Sequence, residues 1–199
     1  MAKLYFRHGA VGSAKTLNLL AVAHNYRQQG KEVVLIKPAL DDRFSAQHIT
    51  SRAGLEKIAD ILVKSDTNLL EYNYEGISCI LVDEVQFMAP LIIEQLREIT
   101  IQKDVPVICY GLRTDFRTLL FDGSKRLLEL ADTIEEIKTT CAFCNRKAIT
   151  NLKHCGGVAT LEGPQVEVGA EEKYFPACYI CYFQQLESAR QSLKSSVEK

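Results

Sequence analysis

Short apolar runs alternate with helical stripes through roughly the first 140 residues of the chain, the pattern of a mostly parallel sheet with helices on both faces. The strand-like runs are Leu4–Arg7, Glu32–Lys37 (closed by Pro38), Asp60–Lys64, Ile77–Val82, Val105–Tyr110 and Thr133–Thr139. Ile77–Val82 is continuous and apolar, as central parallel strands are, and Thr133–Thr139 reads as an edge. A helix over 15–29, with Leu17, Leu20, Ala21 and His24 on its apolar stripe, stops at Gly30. A second starts at Pro90 and aligns Ile92, Leu96 and Ile99, and a third closes over Leu127–Ala131. Residues 39–54 read as loop.

At Cys141 the pattern changes. Residues 151–177 hold four glycines and two prolines without a helical period, so they read as one long loop. A last helix, about 182–193, would gather Phe183, Leu186 and Leu193, and the tail would fray. The expected organisation is an α/β domain over 1–139, a smaller region with the final helix over 140–193, and a frayed tail over 194–199.

The first strand runs into Gly9-Ala10-Val11-Gly12-Ser13-Ala14-Lys15-Thr16 and then into the first helix. Apart from Ala14, this is the phosphate-binding pattern G-x-x-x-x-G-K-[ST]. Strand, loop and helix in that order aim backbone N–H groups and a helix N-terminus at a polyphosphate. Lys15 would reach the β- and γ-phosphates, and Thr16 would ligate Mg²⁺. The plainer reading is a Gly-rich turn with a chance Lys-Thr.

Asp83-Glu84 closes the strongest strand, at the sheet edge where open parallel sheets bind ligands. Asp83 stands where phosphate-loop enzymes hold Mg²⁺, and Glu84 is one residue further toward the ligand, placed to take a proton from an attacking hydroxyl or water. Taken alone the pair could be a solvated turn; the loop at 9–16 tips it toward function.

Cys141-x-x-Cys144 and Cys178-x-x-Cys181 form two knuckles with 33 residues between them. Such pairs build a tetrahedral four-thiolate Zn²⁺ site, structural because no coordination position stays open. His154 and Cys155 lie between the pairs and are the possible substitutes. Cys79 and Cys109 sit inside apolar strands and read as core. The odd total of seven cysteines speaks against a paired disulfide framework.

A net charge of −1, with no basic block, argues against a protein that coats nucleic acid or an anionic membrane. No apolar run reaches membrane-spanning length and the first residues hold no signal-like segment, so a cytoplasmic location is expected.

Together these segments resemble the thymidine kinases of the zinc-containing, phosphate-loop type found in bacteria and in the animal cytosol. The resemblance rests on Gly9–Thr16, Asp41-Asp42-Arg43, Asp83-Glu84-Val85-Gln86-Phe87, Gly111–Arg117, both cysteine pairs and Val168–Tyr174. It implies a RecA-like α/β fold with a small zinc ribbon carrying a lasso loop. The activity it implies is transfer of the γ-phosphate of Mg²⁺-bound ATP to the 5′-hydroxyl of thymidine, in nucleotide salvage for DNA synthesis.

By the same resemblance Glu84 is the general base and Arg43 lies near the reacting oxygen. Asp41, Asp83 and Gln86 fall on the nucleotide side with the loop. Val11, Phe87, Leu112 and Phe116 line the thymidine pocket. The backbone from Gln165 through Val166, Glu167, Val168 and Gly169 binds thymine, and Tyr174 packs on the nucleoside. Homotetramers and feedback inhibition by thymidine triphosphate are the family habit.

The chain departs from that family at Ala14 and at Ala170, both of which replace glycine. These departures leave room for a degenerate member that binds thymidine or nucleotide as a sensor. A zinc-containing ATPase acting on nucleic acid is a third reading, disfavoured by the near-zero charge.

Overall fold

The computed structural model describes residues 1–39, 47–165 and 173–197. The chain divides into two compact units.

The first unit comprises Met1–His8, Ala14–Arg113 and Phe121–Ile137. Its strands β1 (Leu4–His8), β2 (Glu32–Pro38), β5 (Ile61–Val63), β6 (Ile77–Val82), β7 (Val107–Gly111) and β8 (Thr133–Glu136) form one six-stranded sheet in the order β5-β2-β6-β7-β1-β8. A separate hairpin pairs β3 (His48–Thr50) with β4 (Glu56–Ile58) inside the segment expected as loop. Every pairing in the large sheet is parallel, so the strands end along a common edge. The expected fold class therefore holds, with β5 and β8 at the two edges.

Period-two alternation splits the sheet residues between two cores. Leu4, Phe6, Ile36, Ile80, Val82, Val107 and Cys109 face α2 (Pro90–Gln102) and α3 (Asp122–Leu130). Val33, Leu35, Cys79, Leu81, Ile108 and Tyr110 pack with α1 (Lys15–Gln28). Cys79 and Cys109 are wholly buried, as their strand positions imply. Helix α1 corrects one expectation: it buries Leu19, Leu20 and Ala23, while Ala21 and His24 are exposed. Apolar residues occupy most of positions 17–23, so the helix has no single apolar face to read, and the sheet selects one.

The second unit comprises Gly9–Ser13, Thr114–Leu120 and the described part of Lys138–Lys199. The segment expected as one long loop holds an antiparallel sheet of β9 (Thr150–Cys155), β10 (Val158–Thr160) and β11 (Tyr174–Ala177), ordered β10-β9-β11. Gly156 and Gly157 both take positive φ, the backbone a two-residue type I′ hairpin needs, and they join the paired residues Cys155 and Val158. Helix α4 (Tyr179–Val197) starts earlier than expected and buries Tyr182, Leu186 and Ala189, leaving Phe183 exposed. No helix among the described residues is long and apolar enough to cross a membrane.

Candidate active site

The loop Gly9–Thr16 leaves β1 and enters α1. Ser13 N–H donates to the Ala10 carbonyl at 3.2 Å, closing a turn, with Gly12 at φ 75°. Ala14 sits in the left-handed region at φ 61°, ψ 30°. This is the position that the phosphate-loop pattern gives to glycine, and the conformation is the one glycine adopts without a Cβ penalty. The N-cap residue Ala14 makes no side-chain hydrogen bond to α1 and no acid lies in the helix's first turn, an arrangement that suits an anion at the positive end of the helix.

The strain at Ala14 makes a prediction. The left-handed residue costs about 1–2 kcal/mol, and glycine's extra chain entropy returns part of that. Ala14→Gly should therefore stabilise the chain by about 0.5–1 kcal/mol and raise Tm by about 1–4 °C in a thermal melt. A lower Tm would mean that the alanine side chain makes a compensating contact.

Thr16 and Asp83 meet. The Thr16 hydroxyl donates to Asp83 Oδ2 at 3.1 Å, and Asp83 is buried where β6 ends. Lys15, beside Thr16 in sequence, is 8% exposed. Burial, with the Glu84 carboxylate alongside, pushes Asp83 up to about 7 against the pull of the Thr16 hydroxyl and the Lys15 ammonium. A buried carboxylate with a hydroxyl oxygen next to it suits a hard divalent cation such as Mg²⁺.

Glu84 follows at φ 49° and opens a 3-10 turn, Val85–Phe87. A left-handed glutamate costs about 1–2 kcal/mol, and such strain gathers at functional positions. Gln86, 3% exposed, donates from Nε2 to Glu84 Oε2 and accepts at Oε1 from Leu112 N–H at 3.0 Å. Phe87 packs edge-on against Phe121, with ring centroids 5.6 Å apart.

In the second unit Asn151 joins two of the named segments. Its Oδ1 accepts from Val11 N–H at 2.8 Å and its Nδ2 donates to the Thr114 carbonyl at 3.0 Å. Phe116, 1% exposed, has its ring 6.1 Å from that of Tyr174. Lys153 Nζ lies 4.9 Å from the Phe116 centroid and 6.0 Å from the Tyr174 centroid, a buried cation between two aromatic faces. The β9–β11 register, which pairs Lys153 with Tyr174, sets this arrangement. Tyr182 hydroxyl donates to the Phe116 carbonyl at 2.7 Å. Asp115 takes N–H groups of Arg117 and Leu119, each at 2.9 Å, and receives Gln165 Nε2 at 3.3 Å.

Sequence reasoning missed Asn151, Lys153 and Asp115. The first two are the polar face of β9, and alternation with Leu152 was the only local signal for them. Asp41, Arg43, Val166, Glu167, Val168, Gly169 and Ala170 lie outside the described residues.

The four cysteine sulfurs of Cys141, Cys144, Cys178 and Cys181 lie within 4.8 Å of one another. Cys144 and Cys178 Sγ are 3.7 Å apart, close to the edge of about 3.8 Å that Zn–S bonds of about 2.3 Å give a tetrahedron. Amides of Phe143, Arg146 and Cys181 donate to Cys141, Cys144 and Cys178 Sγ at 3.4, 3.5 and 3.5 Å. The Cys181 amide, with neighbouring thiols donating as well, brings the Cys178 thiol down to about 6. This donor set can hold a metal ion, and four thiolates suit Zn²⁺.

A phosphate loop after β1 of a parallel sheet, with an acidic pair at the end of β6, one strand removed, defines a nucleotide-dependent enzyme of the phosphate-loop class. The family model described as thymidine kinase matches residues 2–182. The thymidine kinase of Lactiplantibacillus plantarum is 44% identical over 186 residues, covering 92% of this chain and 96% of that protein. Those of Streptococcus gordonii and Chromobacterium violaceum are each 43% identical, cover 92% of this chain, and are themselves covered to 97% and 98%. The chain belongs to the thymidine kinase family, and so to the kinases, the transferases of nucleoside salvage.

Proposed function

We propose that this chain transfers the γ-phosphate of ATP to the 5′-hydroxyl of thymidine, giving thymidine monophosphate and ADP. The observation that carries the reading is Thr16 against buried Asp83, with Glu84 next in the chain. The loop Gly9–Ala14 and Lys15 would hold the phosphates, with Asp41 and Gln86 on the nucleotide side. Thr16 and Asp83 would hold Mg²⁺, which when bound neutralises charge on the phosphates. Glu84 takes the proton of the 5′-hydroxyl as that oxygen bonds to the γ-phosphorus, and the bond to the β–γ bridging oxygen breaks, releasing ADP. Arg43 would lie near the reacting oxygen.

Val11, Phe87, Leu112, Phe116 and Tyr174 would enclose thymidine, with the backbone of Gln165, Val166, Glu167, Val168 and Gly169 reading the base edge. Backbone bonds to a base discriminate because a wrong base leaves buried polar groups unpaired. A structural Zn²⁺ on the four cysteines would hold the fold of the second unit. The regions proposed are a nucleotide-binding domain over 1–139 and a zinc-bearing domain over 140–193. A cytoplasmic homotetramer inhibited by thymidine triphosphate is proposed on family resemblance alone.

The test is turnover of the purified chain with Mg²⁺-ATP and each of the four deoxynucleosides. Thymidine-dependent formation of the 5′-monophosphate, above that with deoxyadenosine, deoxyguanosine and deoxycytidine, is expected. ATP consumption indifferent to thymidine would overturn the reading.

A further inference from the structure

We infer that Gln86 is a positioning residue: it fixes the Glu84 carboxylate for proton abstraction and is itself fixed by the backbone at the end of β7. The inference rests on the reading of Glu84 as general base. A glutamate side chain is flexible, and a base must lie within hydrogen-bond reach of its proton to contribute. Gln86 removes that freedom by binding Glu84 Oε2 through Nε2, which leaves Oε1 for the hydroxyl.

The direction of the Gln86 amide is set by chemistry at both ends. A backbone N–H, that of Leu112, can face only the amide oxygen, and a carboxylate can face only the amide nitrogen. The Leu112 backbone is held in turn, because its carbonyl accepts from the buried Ser124 hydroxyl of α3 at 2.5 Å. The chain of contact thus runs from α3 through Leu112 and Gln86 to Glu84.

Two glycines leave room for it. A Cβ on Gly111 would stand 2.5 Å from Gln86 Oε1 and 2.9 Å from Val85 Cγ1. Gly111 is not at positive φ, so close approach and not backbone conformation is what calls for glycine there. A Cβ on Gly123 would stand 2.5 Å from the Val85 carbonyl oxygen, so the turn bearing Gln86 is pressed from α3 as well.

The test is a double-mutant cycle in steady-state phosphorylation of thymidine by the full chain, using wild type, Gln86→Met, Glu84→Gln and the double variant, with thermal melts alongside. Gln86→Met keeps length and removes the amide. Misplacing a reacting group by about 1 Å costs on the order of 100-fold, so kcat should fall about 10- to 100-fold with KM for thymidine little changed. In the Glu84→Gln background the same change should alter kcat by no more than about twofold, because the amide then has no base to position.

Gly111→Ala, which pushes on Oε1 from the backbone side, should repeat the loss in kcat and serves in place of Gln86→Met if that variant does not fold. Wild-type kcat in Gln86→Met, or a loss that is undiminished without Glu84, overturns the inference. Wild-type kcat in Glu84→Gln overturns the base reading instead, so the two failures are distinct.

Discussion

Glu84→Gln is expected to lower thymidine phosphorylation by about 10²–10⁴-fold, the usual contribution of a general base, in a chain that folds as before. The replacement has the same shape and the same backbone demand, since both residues carry a Cβ into the left-handed position at φ 49°. Its amide can turn its oxygen toward Gln86 Nε2, so the hydrogen bond seen for Glu84 is kept. What it lacks is a lone pair basic enough to take the hydroxyl proton. The loss should therefore fall on kcat, with substrate KM values close to wild type, because neither phosphate binding nor base recognition uses the carboxylate. Steady-state kinetics at saturating ATP, with a melting curve to confirm the fold, measures it. Activity above roughly a tenth of wild type would assign the proton to another acceptor.

The parts of this molecule that were legible in the sequence are those whose signal is local. Ile77–Val82 announces a central strand because burial on both faces makes it apolar without a break, and it becomes β6. The loop at 9–16, the acidic pair and the two cysteine pairs are each short strings whose spacing carries their chemistry.

Ala14 occupies the left-handed conformation that its place in the string implies, even though the residue itself argues against it. The illegible parts depend on distant partners. The buried face of α1 was misread because apolar residues surround that stretch of helix and only the sheet decides which side is covered. Strand β9 reads as loop because one of its faces is polar: Asn151 and Lys153 are buried, yet they meet Val11, Thr114, the Glu162 carbonyl and two aromatic rings that no window of sequence brings together. Gln86 could be placed on the nucleotide side by resemblance, but its tie to Leu112 spans 26 positions and follows only from the parallel strands ending side by side.

The second large effect should come from the cysteine cluster. Among the described residues, the buried apolar side chains of the second unit, beyond the cysteines themselves, are Phe116, Ala148, Leu152, Ala159, Ala177, Tyr182, Leu186 and Ala189, four of them alanines. So small a core stabilises little, and units of this kind need a metal or a disulfide to stay folded. A structural Zn²⁺ contributes about 10–16 kcal/mol of binding free energy, as much as the whole stability of many domains.

Cys144→Ser removes one thiolate and replaces it with a hydroxyl that ligates Zn²⁺ poorly, and the Arg146 amide loses its sulfur acceptor. The contacts that depend on the β9–β11 sheet go with the metal: Lys153 opposite Tyr174, and Asn151 holding Val11 and Thr114. The variant, or wild type stripped by a strong chelator, should lose the second unit's cooperative melt and its turnover. The first unit, with its own sheet and two apolar faces, keeps its structure. Re-adding Zn²⁺ should restore the stripped wild type but not Cys144→Ser. Elemental analysis should find about one zinc per wild-type chain. A metal-free chain that melts and turns over like wild type would show that hydrogen bonds and packing alone hold the four sulfurs together.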